Sequence, residues 1–101
     1  MAYGYLGTMR TQPGLRDEVV MSLVDGSERL TEIGCRLYLV SISPDDPDCI
    51  WVNEVWESKE AHDASLQLPE VRAAIAATIP KLTGEFTSQE LRVIGGLGVD
   101  S

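Results

Sequence analysis

Apolar residues along this chain recur in two rhythms, one alternating and one returning every three to four positions. The switches between them mark out the secondary structure. From Ala2 to Thr11 the chain is rich in Tyr, Thr and Met and stops at Pro13-Gly14, which reads as a strand followed by a breaker. The rhythm then becomes helical. Leu15, Val19, Leu23 and Leu30 fall within one narrow arc at about 100° per residue, Val20 and Val24 widen it, and Asp17, Glu18, Asp25 and Glu28 take the other side. Asp17 and Glu18 sit in the first turn, where the positive end of the helix dipole favours them. Gly26 loosens the last turns at a cost of about 1 kcal/mol relative to Ala.

Cys35 to Ser43 reads as a second strand, the turn sequence SPDDPD follows, and Ile50 to Glu57 is a third strand. Ser58 is placed to cap a short helix from Lys59 to about Leu66, and Pro69 suits the first position of the next. There Val71, Ile75 and Ile79 recur at four-residue spacing with alanines between them, which predicts a buried helix. Pro80 ends it, Gly84 closes the segment, and Glu85 to Ile94 sets Phe86, Ser88 and Glu90 against Thr87, Gln89, Leu91 and Val93 as a fourth strand. The order strand, helix, strand, strand, helix, strand predicts an α+β, ferredoxin-like βαββαβ domain with a four-stranded antiparallel sheet and both helices on one face. One domain spans residues 1–94, and residues 95–101, GGLGVDS, are expected to form a flexible tail.

The third strand carries Ile50, Val52, Glu54 and Trp56 on one face and Trp51, Asn53 and Val55 on the other, so both faces are apolar. The second strand repeats this, with Cys35, Leu37 and Leu39 opposed to Tyr38, Val40 and Ile42. The helices can cover one face only. The bare face is expected to meet a second copy about a twofold axis, giving a homodimer with sheets packed face to face.

Composition narrows the function. At 101 residues the chain fits a single core, and 44% hydrophobic with 24% charged residues is ordinary for a folded domain. A net charge of −8 repels phosphate backbones and anionic bilayers, so neither nucleic acid nor membrane is an expected partner. No apolar run approaches the ~20 residues that span a bilayer, and MAYGYLGTMRTQPG lacks the blocks of a signal peptide, which makes the cytoplasm the expected location. Cys35 and Cys49 lack metal or disulfide spacing and are expected as buried thiols, and with a single histidine no metal site is expected. The glycines of GGLG open no helix, so flavin and nicotinamide binding have no support, and no nucleophilic triad is visible.

Pro13-Gly14, TEIGCRLY from Thr31 to Tyr38, NEVWESKEAHDAS and LPEV together resemble the antibiotic biosynthesis monooxygenase domain family, including its quinol monooxygenase-like members. The likeness covers about residues 5–90 and is most specific at Glu54-Val55-Trp56-Glu57-Ser58 with Ala61, in register with Gly34-Cys35 and Tyr38. It implies a dimeric α+β barrel with a pocket between sheet and helices in each subunit. Members include cofactor-free oxygenases of polyphenols or anthrone-like polyketides, and relatives that degrade haem. The chain departs from the family at Ser65, where many members carry His and haem degraders carry Trp. The segment EVRAAIAATIP also lacks the haem degraders' histidine, which argues against haem.

The resemblance implies chemistry that needs a base, a donor for a developing oxyanion and apolar walls, with no cofactor and with a small aromatic substrate and O2 as partners. His62 lies three positions before Ser65, on nearly the same helical face, and histidine is the residue type suited to base work near neutrality; alternatively it is an exposed residue on a short polar helix, flanked by Glu60 and Asp63. Glu54, between Val52 and Trp56, is either a base or substrate anchor, or an ion-pair partner of Arg36 or Arg92. Tyr38 and Asn53 are candidate oxyanion donors, though packing explains both, and Trp56 is either core or pocket wall. Ser65 completes the candidate substrate site, and Arg72 is expected to face solvent. Two functions stand: a cofactor-independent monooxygenase of a phenolic or polyketide-like substrate, or a non-catalytic dimeric module that binds a small ligand or serves assembly. The missing helical histidine favours the second, and the Glu54 to Ser58 segment favours the first.

Overall fold

A computed structural model describes residues 2–100 of the chain. The elements run β1 (Tyr3–Thr11), α1 (Arg16–Ser27), a 3-10 turn (Leu30–Ile33), β2 (Cys35–Ile42), β3 (Cys49–Trp56), α2 (Lys59–Ser65), α3 (Pro69–Thr78), a second 3-10 turn (Ile79–Lys81) and β4 (Leu82–Arg92). The sheet order is β2-β3-β1-β4 with every neighbouring pair antiparallel, which is the ferredoxin-like arrangement the element order predicts. Where a loose tail is expected, Gly95–Gly96 (β5) pairs with Val99–Asp100 (β6) in a short hairpin; residue 101 lies outside the described residues.

The register sorts side chains between the two faces. Tyr5, Glu54 and Tyr38 lie in one cross-strand row, Tyr3 and Trp56 in the next, and Met9, Ile50 and Phe86 near the other end, all on the helix-covered side. Two buried clusters stand there. One joins Tyr3, Cys35 and Trp56, with Leu30, Ile33 and Ala61 packed against them. The other joins Val19, Ile50 and Val52, with Val20, Leu23 and Val40 around them, and Tyr38 touches both.

Cys35 is a correction to simple alternation. Trp56 is opposite Cys35 and Val55 is opposite Leu37, so Arg36 is an extra residue in β2, and this bulge turns Cys35 toward the face of Trp56 and Tyr38. Its thiol is buried, hydrogen-bonds the Leu37 carbonyl and is pushed by that burial up to about 11, which leaves it unreactive. Cys49, expected to be buried, is half-buried instead.

Two local devices position α2. Ser58 caps it as the sequence predicts, its Oγ accepting from the Ala61 N–H at 3.1 Å. Gly34 ends the preceding 3-10 turn at φ 101°, accepts from Glu57 N–H at 2.8 Å, and leaves only 3.1 Å between a notional Cβ and that of Ala61. A side chain at position 34 would therefore be strained and would push α2 off the sheet.

The expectation of a buried third helix fails. No residue of α3 is buried, and Ile75 and Ile79 remain 43% and 58% exposed. The periodic stripe is present, but it faces an open cleft instead of packing down on the sheet. Arg72 is exposed, as expected. No helix among the described residues is long and apolar enough to cross a membrane.

Candidate active site

The space between α1, α3 and the sheet is a cleft of about 750 Å³. Leu23, Val71, Ile75, Ile79, Leu82 and Phe86 supply an apolar stretch, while Tyr38, Glu54, Trp56, His62 and Ser65 meet at the end where β3 runs into α2. At the Phe86 end, Lys81 Nζ pairs with Glu18 Oε1 at 2.8 Å and ties the second 3-10 turn to α1. The volume is in the range of small-molecule sites.

Glu54 is the carboxylate that the sheet contributes to the lining of the cleft; Glu90 of β4 shares its cross-strand row through Tyr5 but is not among the lining residues. Glu54 Oε1 accepts from the Trp56 indole N–H at 2.8 Å, so an indole is its hydrogen-bond partner within the subunit, and β1 separates Arg92's strand from that of Glu54. Burial raises the Glu54 pKa above its ordinary value, and the indole hydrogen bond and the nearby His62 offset this only in part. Trp56 is both alternatives at once: it is among the most buried side chains of the chain, and part of it forms the cleft wall.

His62 is not an exposed helical residue. Its side chain is 12% exposed and lies among three aromatic rings: Tyr3 at 5.1 Å, Tyr5 stacked at 5.6 Å and inclined 22°, and Trp56 edge-on at 5.6 Å. Tyr38 pairs directly with Glu54 across the strands, and burial, reinforced by that carboxylate, raises its pKa so that it stays a protonated donor. Ser65 is buried on the wall, but its hydroxyl donates to the His62 carbonyl at 2.6 Å and is thus occupied by its own helix.

Asn53 is not brought to this site. It lies on the opposite face, exposed, between Leu6 and Leu39 in the register, because neighbours in a strand point to opposite sides. Tyr3 and Tyr5, which form the box around His62, are the residues that sequence reasoning missed. Their signal was the odd-position alternation of β1, readable only once the register aligned Tyr5 with Glu54. Among the described residues no three His, Cys, Asp or Glu side chains converge as a metal site requires.

A family model described as antibiotic biosynthesis monooxygenase matches residues 3–77. The chain belongs to this family. Among solved structures, a candidate antibiotic biosynthesis monooxygenase from Chloroflexus aurantiacus J-10-fl is 43% identical, with 95% of this chain and 96% of that one covered and a TM-score of 0.85. Family-named structures from Caulobacter crescentus CB15 and Deinococcus radiodurans are each 23% identical and show the same fold. The first covers 93% of this chain and 91% of its own at a TM-score of 0.84, and the second covers 100% of both at 0.78. Among curated proteins, none matches the sequence. The run Glu54 to Ser58 lies within the matched residues; Glu54 and Trp56 line the cleft and Ser58 caps α2.

The raised pKa of Glu54 has a thermodynamic sign. The fold favours the protonated carboxyl, so this stabilising contribution is complete below the ordinary value of 4.5 and is lost as pH rises through the higher folded value. Glu54→Gln, neutral at every pH and still able to accept from Trp56, is expected to gain stability on the wild type as pH rises from 4 to 7. Urea unfolding across that range measures the difference; a difference flat with pH contradicts the assignment.

Proposed function

We propose that the cleft oxidises a phenolic or polyketide-like aromatic substrate with O2, using side chains alone. What supports this reading is the conjunction of Glu54 and His62 at one end of a largely apolar cleft, whose lining also includes Asp25, Glu28, Arg29 and Glu70 from the helices and the segment after α1. The apolar stretch from Leu23 to Phe86 takes the ring system, and the substrate's hydroxylated end lies against Glu54, His62 and Tyr38.

The chemistry balances without an outside reductant. His62 removes a proton from an activated ring CH2, and the resulting carbanion, delocalised onto the neighbouring oxygen, is held by the Tyr38 hydroxyl. The carbanion gives its electrons to O2, one at a time, and forms a C–O bond. The peroxide oxygen then takes back the proton from His62. Removal of the second C–H proton, for which Glu54 is the available acceptor, breaks the O–O bond; the CH2 becomes C=O, and the departing oxygen leaves as water with both protons. Four electrons leave the carbon and four enter O2.

The open sheet face belongs to the same proposal. Leu39, Trp51 and Leu91 are exposed there, beside the buried Val55. A second copy offers the same surface, and a twofold axis lets each face cover the other, so the working form is a homodimer.

Oxygen uptake with a panel of hydroquinones and anthrones is expected for the wild type. It should fall by about 10²-fold or more in both His62→Ala and Glu54→Gln, the usual range for loss of a positioned acid or base. Uptake unchanged by either substitution would remove these roles. Saturable ligand binding without uptake would instead establish a non-catalytic binding module. In sedimentation the wild type is expected at twice the 11.0 kDa subunit mass and Trp51→Glu at the subunit mass; a wild-type monomer at micromolar concentration would end the dimer reading.

A further inference from the structure

We propose that Asp63 is a positioning residue that holds His62 as its Nδ1–H tautomer and so leaves Nε2 as the proton acceptor of the cleft. The inference deepens the reading above, on which its catalytic meaning rests, although the tautomer itself can be tested without any substrate.

The contact that carries it is His62 Nδ1 to Asp63 Oδ1 at 3.0 Å. An ionised carboxylate has lone pairs and no proton to give, so the shared hydrogen must sit on Nδ1. The choice matters because an isolated neutral imidazole prefers its proton on Nε2, the form that has no lone pair at the nitrogen far from the backbone. Which ring nitrogen is free is set by the hydrogen bond that the other makes. Asp63 remains ionised beside the ring, its carboxyl held below its ordinary value chiefly by the bond to His62.

The carboxylate is itself held. Asp63 Oδ2 lies 3.5 Å from Lys59 Nζ, one helical turn earlier, and the same ammonium reaches Glu90 Oε1 on β4 at 3.1 Å. This string runs from the sheet edge through Lys59 to Asp63 and ends at the imidazole. Lys59 Nζ also stands 5.5 Å from the centre of the Tyr3 ring, which is one wall of the box around His62. The ring has little freedom to turn over, because Tyr3, Tyr5 and Trp56 contact it from three directions. A half-turn about its bond to Cβ would exchange Nδ1 for a carbon and forfeit the Asp63 bond.

The charged and titratable groups around the imidazole include Glu54 from β3, Tyr3 and Tyr5 from β1, Asp63 with Lys59 from α2, and Glu90 from β4, which lies opposite Tyr5 and pairs with Lys59. Of these, Asp63 alone is bonded to Nδ1 in the structure, whereas Glu54 has its Oε1 engaged by Trp56. By sequence alone Asp63 is a polar neighbour that favours an exposed histidine. In the structure it is the residue that orients that histidine.

The chain contains one histidine, so a long-range proton–nitrogen correlation spectrum of the ¹⁵N-labelled protein shows one imidazole without assignment. At a pH where the ring is neutral, the wild type is expected to give a protonated-type signal at Nδ1 and a lone-pair-type signal at Nε2. In Asp63→Ala, an exposed helix position that should leave the fold intact, the two signals are expected to exchange character, with the Nε2–H form becoming dominant. A wild-type spectrum of the Nε2–H form, or a pattern unchanged in Asp63→Ala, would overturn the proposal. Oxygen-uptake assays that fail while the Nδ1–H signature is present would remove the proposed reaction and leave the positioning role in place.

Discussion

β3 is hydrogen-bonded on both sides, to β1 and to β2, and this fixes its register twice over. A strand held in that way cannot slip, and its two-residue pleat becomes a rigid ruler. Along the helix-facing side the ruler reads Ile50, Val52, Glu54, Trp56. The first two are core, Glu54 is a half-buried carboxylate, and Trp56 is at once the floor of one cluster and the donor that holds Glu54 in place. Everything at the candidate site is measured from this strand. Tyr5 and Tyr38 are its cross-strand neighbours, and α2, which brings His62 back over Trp56, begins three residues after it ends.

The same sheet serves two tasks with limited apolar material. α1 packs down on β2 and β3 and closes the core around Val19, whereas α3 spans the cleft and buries nothing of its own. A fully packed α3 would have added stability and left no room for a ligand. The chain also keeps a carboxylate where burial works against its charge, with one indole hydrogen bond and a nearby imidazole as compensation.

The strands, the breaks between them and the cap at Ser58 were legible because Gly, Pro and Ser act locally, through φ and through side-chain hydrogen bonds that need no distant partner. Three features were not. The bulge at Arg36 was hidden because counting alternation assumes one residue per step, and an extra residue in β2 alters no apolar pattern. The stand-off of α3 was hidden because periodicity reports that Val71, Ile75 and Ile79 share a face, without saying what that face meets. His62 was hidden by its neighbours: Glu60 and Asp63 made a polar helix of it, while the rings that enclose it come from β1 and β3. Asn53, in contrast, was excludable from the pleat alone, since it cannot share a face with the adjacent Glu54.

The central claim is that ligand chemistry belongs to the helix-covered face through Glu54 and Trp56, and that the opposite face is for association. The chain has two tryptophans, Trp56 on the first face and Trp51 on the second, so two indole N–H resonances report on the two faces separately. Titrating the ¹⁵N-labelled protein with a phenolic anthrone-type ligand should move the Trp56 indole signal, whose proton is bonded to Glu54, and leave that of Trp51 in place. Movement of Trp51 with Trp56 unchanged would put the ligand on the wrong side of the sheet and contradict the account.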